Sequence, residues 1–164
     1  MDHASLLIVE DHVTQHPNDQ QEITPALNNL GALPPTLGQV EHLAADTGYC
    51  SAANAEACEQ ANITPLLAGA RASHHPSPEE RFADPGDAPP DTASPIVRMQ
   101  HQLKTVAGKA LYAKRKSTVK PVFGMIKEVM GFRQFLLRGL NAVSGEWTLV
   151  CLTYNLKRLH VLAG

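Results

Sequence analysis

Short apolar segments alternate with helix-like segments over residues 1–68. Three segments are apolar or rich in β-branched residues and are bounded by turn-forming residues, so they are the predicted strands: 5–14, 39–46 and 63–68. One helix is predicted at 20–30, and Ser51 is suited to cap a second helix at 52–61. This strand–helix–strand–helix–strand order is typical of an α/β sheet with covering helices.

Residues 69–95 interrupt the pattern, because they hold six prolines and few apolar side chains. They predict a long irregular linker. Ser94 and Pro95 then form a helix start, with a capping residue followed by proline at the first helical position. From there the chain is predicted to be helical. It therefore divides into an α/β part at 1–68, a linker at 69–95 and a helical part at 96–164.

Charge divides the chain at the same place. Residues 1–95 hold two Arg against 14 Asp and Glu, whereas residues 96–164 hold 12 Lys and Arg against two Glu. The basic part is predicted to meet a polyanion, and mutual neutralisation of the two parts is the alternative. No segment approaches the roughly 20 apolar residues that span a membrane. Three cysteines without metal-binding spacing indicate a reduced, cytoplasmic setting.

The basic residues include a cluster suited to phosphate contacts, whose strength falls steeply with salt. Its members are the candidate DNA-binding residues: Lys104, Lys109, Lys114, Arg115, Lys116 and Lys127. A solvated basic face is the alternative. Next to them, Pro121 predicts a helix start with Thr118 as its cap. Lys120 would then lie near the helix N-terminus, where a cation opposes the helix dipole by roughly 0.3–1 kcal/mol.

Asp46 is a candidate for chemistry, because it ends a predicted strand and precedes Thr-Gly-Tyr. Open α/β sheets place functional groups at the carboxyl ends of their strands. A carboxylate in that position can hold a divalent metal. A role in capping the turn is an equally good interpretation of this feature alone.

Several blocks of the chain, in this order, resemble the C-terminal half of bacterial insertion-sequence transposases of the DDE type. They are ADTGYCSAAN at 45–54, YAKRKSTVKPVFGMIK at 112–127, GFRQFLLRGL at 131–140 and EWTLVCLTYNLKRL at 146–159. The similar group carries the signature Y-(2)-R-(3)-E-(6)-K. This resemblance implies a ribonuclease-H-like fold, in which two aspartates and a glutamate hold two divalent ions, usually Mg²⁺. The ions serve hydrolysis and strand transfer at transposon ends.

The resemblance assigns each signature position to one residue. Asp46 takes the place of the second aspartate and is the expected metal ligand. Tyr112, Arg115 and Lys127 take the signature tyrosine, arginine and lysine, and four residues rather than three separate Arg115 from the next position. Lys120 occupies the position of the glutamate. The first aspartate is expected on a strand ahead of this chain, so the sheet is expected to be truncated at its N-terminal side.

These departures predict a transposase fragment without catalytic activity. One metal ligand is kept, one has become a cation, and one is expected to be missing. The alternative is a non-catalytic DNA-binding protein, or a regulator that poisons transposition by joining transposase subunits. The expected partners are DNA and transposase subunits, with no membrane. An unexpressed or unfolded remnant is a third interpretation.

Overall fold

The computed structural model describes residues 1–69, 77 and 84–164. The chain folds as two compact units, one formed by Met1–Pro17 together with Lys114–Gly164 and the other by Asn18–Ala113. Half of the predicted linker at 69–95 lies outside the described residues. The predicted division of the chain at residues 68 and 95 stays a prediction.

The unit Asn18–Ala113 contains a small parallel sheet. Strand β1 (His42–Ala45) pairs in parallel with β2 (Thr64–Leu67), and the first residues of the two strands lie opposite each other. The strands predicted at 39–46 and 63–68 are therefore confirmed. Among its described residues, the α-helices that belong wholly to this unit are α1 (Ile23–Gly31), α2 (Ala52–Gln60) and α3 (Pro95–Gln102).

Local sequence explains how α2 joins the two strands. The Ser51 hydroxyl accepts a hydrogen bond from the Asn54 backbone N–H at 3.1 Å, which satisfies one of the free donors at the helix start. Apolar side chains from the strands and helices then form one core: Ile23, Leu27, Ala55, Cys58, Ile63, Leu67 and Met99. Burial in this core packs α2 and α3 against the sheet and against each other.

The unit Met1–Pro17 with Lys114–Gly164 is helical. It contains the C-terminal part of α4 (Val106–Gly124), one π-helical turn at Met125–Val129, and the long helix α5 (Leu140–Leu162). Its buried core consists of Ile8, Val122, Ile126, Cys151 and Tyr154. The predicted helical character of the C-terminal half is thus confirmed.

The predicted helix start at Pro121 is wrong, because α4 continues through this proline. The Thr118 hydroxyl donates to the Lys114 carbonyl at 2.8 Å and caps no helix start. Proline removes a single backbone donor, and the long helix before it keeps its own ladder. Lys120 therefore lies inside a helix, and the predicted unfavourable contact with a helix N-terminus does not arise.

The predicted strand at 5–14 is also wrong, because this segment is irregular and is held by side chains of α5. The Asn155 amide donates to the Ile8 carbonyl at 2.8 Å and accepts from the Ile8 N–H at 2.9 Å. The Tyr154 hydroxyl donates to the Leu6 carbonyl at 3.0 Å. A primary amide can satisfy both polar groups of one residue, as a neighbouring strand would.

Candidate functional site

Asp46 lies directly after β1 and is exposed. Its carboxylate accepts a hydrogen bond from the Gly48 backbone N–H at 3.3 Å and caps the short turn Thr47–Tyr49. The buried Asn54 amide also stabilises the turn, because it donates a hydrogen bond to the Tyr49 carbonyl at 2.8 Å. The capping role is therefore present, and a catalytic role for this carboxylate stays a prediction.

The structure brings two further carboxylates to this turn, those of Asp19 and Glu22, and sequence patterns predicted neither of them here. A Cβ atom on Gly48 would lie 2.7 Å from an Asp19 carboxylate oxygen, so glycine permits this close approach. Burial, followed by the charges of Asp19, Asp46 and Glu22, raises the pKa of Tyr49. Asp19 and Glu22 reach the turn through the packing of the chain before α1, which no spacing along the sequence encodes.

The signature residues follow one another along α4 and the turn after it. Tyr112 and Arg115 are half-buried, whereas Lys120 and Lys127 are exposed. Tyr112 and Asp46 belong to the unit Asn18–Ala113, and the other three belong to the unit that contains α5. The residues assigned to the signature thus keep their order on a helix and the turn after it, and the assignment of Lys120 to the glutamate position stays a prediction.

Glu128, the nearest acid to the signature lysine, is already engaged. Its carboxylate forms an ion pair with Arg133 at 2.5 Å. It also lies eight residues after Lys120, about 12 Å along a helix axis. It is therefore badly placed to replace the missing carboxylate.

The donor set does not fit a pair of magnesium ions. Mg²⁺ is bound through oxygen ligands, and a lysine ammonium offers none and repels the ion. Among the described residues, no three His, Cys, Asp or Glu side chains come together as a metal site. Burial raises the pKa of Cys58 to about 11 and that of Cys151 to about 12, so neither thiol is ionised at neutral pH.

The candidate DNA-binding residues are mostly exposed cations rather than metal ligands. Lys104, Lys109, Lys114, Lys116 and Lys127 are exposed, and only Arg115 is half-buried. Lys116 and Lys120 are four residues apart on α4, so their side chains lie on one face of the helix. Within residues 1–69, 77 and 84–164, none of Lys114, Lys116, Lys120 and Lys127 forms a salt bridge. Their positive charge is open to an anionic ligand.

Comparison with protein families finds a match over part of the chain. Residues 90–160 match the family described as "Transposase DDE domain", a segment that contains every signature position from Tyr112 to Lys127 and excludes Asp46. No curated protein and no solved structure matches the chain. In the part of the chain that the structure describes, no helix is long and apolar enough to cross a membrane. The resemblance inferred from the sequence blocks is confirmed by the family match.

Proposed function

We propose that this chain, whose residues 90–160 match the transposase DDE domain family, binds DNA and does not cleave it. Loss of cleavage is supported by the ammonium of Lys120 at the position of the family's glutamate. Asp46 is then the one signature carboxylate that remains, and Mg²⁺ would find too few oxygen ligands. The parallel pair β1–β2 with α2 between its strands supports a partial ribonuclease-H-like sheet as part of this proposal.

The exposed lysines of α4 and of the turn after it carry the proposal. Lys116 and Lys120 lie on one face of α4, and Lys127 follows Lys120 by seven residues. Because no carboxylate in the described residues neutralises these ammonium groups, DNA phosphates do not have to displace an internal partner. Each phosphate that a lysine neutralises releases condensed counterions, which is the main driving force of sequence-independent DNA binding.

The salt dependence of DNA binding tests this proposal. We expect the affinity for a fluorescein-labelled 30-base-pair duplex to fall linearly with salt on logarithmic axes, with a slope of about −0.9 per phosphate contact. Changing Lys116, Lys120 and Lys127 together to glutamine should make the slope about 2.7 units shallower. Fluorescence anisotropy at salt concentrations from about 50 to about 200 mM measures the slope for the original chain and for the triple variant.

The matched control changes one charge on another helix. Lys157 is an exposed lysine of α5, so Lys157→Gln should alter the slope less than Lys120→Gln does. Equal effects of the two single variants would show that net charge alone governs binding. Absence of binding at low salt would refute the proposed function.

A second function, association with another transposase chain, is favoured by a leucine stripe on α5. The stripe consists of Leu149, Leu152, Leu156 and Leu159, whose exposed fractions range from 48 to 65%. Their spacing of three, four and three residues matches the seam of a two-helix coiled coil. The only charged residue of α5 before this stripe is Glu146, whereas Lys157 and Arg158 lie at its C-terminal end. This distribution favours an antiparallel second copy.

Sedimentation equilibrium tests the association. We expect a dimer for the original chain and a monomer for the double variant Leu152→Lys and Leu156→Lys, because two lysines would enter the apolar seam. The control is Thr153→Lys, which adds a charge beside the stripe and should leave the dimer in place. A monomer for the original chain at micromolar concentration would rule this second function out.

A further inference from the structure

Four aromatic rings gather beside the lysines of α4. Trp147 of α5 lies 6.0 Å from Phe123 of α4 between ring centroids, in a stacked arrangement. Phe132 and Phe135 lie 6.2 Å from the same indole and 5.5 Å from each other. The chain has four Phe, three Tyr and one Trp, so half of its aromatic residues belong to this cluster. We call these four residues the aromatic cluster.

The aromatic cluster lies at the surface of its unit. Phe123 is 36% exposed and Phe135 is 43% exposed, whereas Val122, the neighbour of Phe123 on α4, is 1% exposed. Part of the ring surface of Phe123 and Phe135 therefore lies outside the buried core of the unit. Aromatic side chains contribute the largest apolar area per residue when they are buried. A ligand that covers the exposed parts of Phe123 and Phe135 would therefore gain binding energy from their burial.

Cations flank the open ring of Phe123. Lys120 precedes it by three residues on α4, a spacing that places two side chains next to each other on a helix. Lys127 follows it by four residues, in the π-helical turn. Within the described residues, neither ammonium forms a salt bridge. The nearby Glu128 is paired with Arg133, so the acid of this turn does not neutralise either lysine.

A ring face between two cations matches one repeating chemical unit of nucleic acid. Single-stranded DNA offers a flat base between two phosphates, and proteins bind it with aromatic side chains along a positively charged groove. In a duplex the base faces are stacked on each other and are closed to such contacts. The pattern therefore favours an unstacked base over paired DNA, although phosphates of either form can reach the lysines.

We propose that the aromatic cluster is a stacking site for an unpaired DNA base, with the flanking phosphates on Lys120 and Lys127. This proposal rests on the proposed DNA-binding function and specifies the form of DNA that is preferred. The rings within the cluster already contact each other, so the base lies against the outer face of Phe123 or Phe135. Replacement of the signature glutamate by Lys120 adds one of the two cations of this site.

Trp147 is the only tryptophan of the chain and reports directly on the site. We expect its fluorescence to be quenched when a single-stranded thymidine 15-mer binds. An abasic oligonucleotide of the same length should bind through its phosphates and leave the fluorescence unchanged. A duplex of the same length should bind without quenching. These three titrations use the original chain, so they do not depend on the folding of any variant.

Variants separate the stacking contacts from the phosphate contacts. Phe123→Leu with Phe135→Leu should weaken binding of the thymidine 15-mer by about 5- to 150-fold, since base stacking is worth roughly 1–3 kcal/mol per base. The same double variant should bind the duplex as the original chain does. Leu136→Ala is the control, because it removes a neighbouring apolar side chain that is 75% exposed and should leave both affinities unchanged.

The outcomes distinguish this inference from the proposed function. Binding of all three ligands with equal affinity and without quenching would overturn the stacking site and leave phosphate binding intact. Binding of none of them at low salt would overturn both proposals. Preference for the thymidine 15-mer with quenching, lost in the double phenylalanine variant, would establish the site.

Discussion

The Gly108→Ala variant is expected to lose about 3 kcal/mol or more of unfolding free energy, although alanine is the better helix former. A Cβ atom on this residue would lie 1.9 Å from the Gln102 carbonyl oxygen and 2.7 Å from its carbonyl carbon. These are backbone atoms, so they cannot rotate away as a flexible side chain could. Overpacking that forces the backbone to shift typically costs about 1–3 kcal/mol and sometimes more.

The turn between α3 and α4 explains why the backbone is so close. The Thr105 hydroxyl donates to the Gln102 carbonyl at 2.7 Å and accepts from the Gly108 N–H at 3.0 Å. This one hydroxyl therefore draws the end of one helix onto the first turn of the next. Relief of the clash would break both hydrogen bonds and displace the start of α4.

Thermal unfolding followed by circular dichroism measures the loss. For a chain of this size, about 3 kcal/mol corresponds to a fall in Tm of roughly 6–12 °C. The control is Gly145→Ala, because Gly145 lies inside α5 and a Cβ atom there meets nothing within 4 Å. That change should raise stability by about 0.5–1 kcal/mol. A rise in Tm for both variants would contradict the close contact at Gly108.

The parts of the fold that follow from local sequence are the parts that were predicted correctly. The apolar segments of β1 and β2 and the Ser51 cap of α2 lie within one stretch of chain, and each acts through its near neighbours. Local patterns determine such elements, because both the capping bond and the alternation of side chains involve residues a few positions apart.

The errors arise where distant residues decide the outcome. The segment at 5–14 has the composition of a strand, yet its partner is the Asn155 side chain, 147 positions after Ile8. Tertiary contacts override β-propensity in this way, because propensity mostly reflects what a strand packs against. The helix start predicted at Pro121 was wrong for a simpler reason. It marks a helix start only where no helix precedes it, and α4 begins at Val106.

The residues of the candidate site could be proposed from the sequence, whereas the side chains that pack around them could not. The resemblance assigned Lys120 and Lys127 to signature positions, and the structure places Lys120 in α4 and Lys127 in the π-helical turn, both exposed. The carboxylate of Asp19 beside the Asp46 turn, and the rings of the aromatic cluster, depend on packing between elements. Short motifs contain no information about that packing.

Lys120→Glu is expected to restore no DNA cleavage, although it places a glutamate at the position that the resemblance assigns to the signature glutamate. Mg²⁺ requires near-octahedral oxygen ligation and keeps few protein contacts, so each carboxylate has a large effect. The variant would supply one carboxylate in addition to Asp46, and the family's first aspartate has no assigned counterpart in this chain. Glu128 is held by Arg133 and cannot supply the third ligand without breaking that ion pair.

Nicking of supercoiled plasmid and of transposon-end DNA in the presence of Mg²⁺ or Mn²⁺ measures cleavage. The original chain and Lys120→Glu should both give the rate of the buffer alone. Lys127→Glu is the matched control, because it makes the same charge change seven residues further along the signature. Any contaminating nuclease would act equally in all three preparations, so only a difference between the two variants is informative.

Nicking by Lys120→Glu alone would show that the metal site needs one change to recover. The first aspartate of the family would then have a counterpart among the acidic residues of this chain. Both lysine-to-glutamate variants should weaken DNA binding to a similar degree, since each reverses the charge of one of the lysines proposed to bind phosphate. A cleavage-competent variant must therefore cut DNA that it binds less tightly than the original chain does.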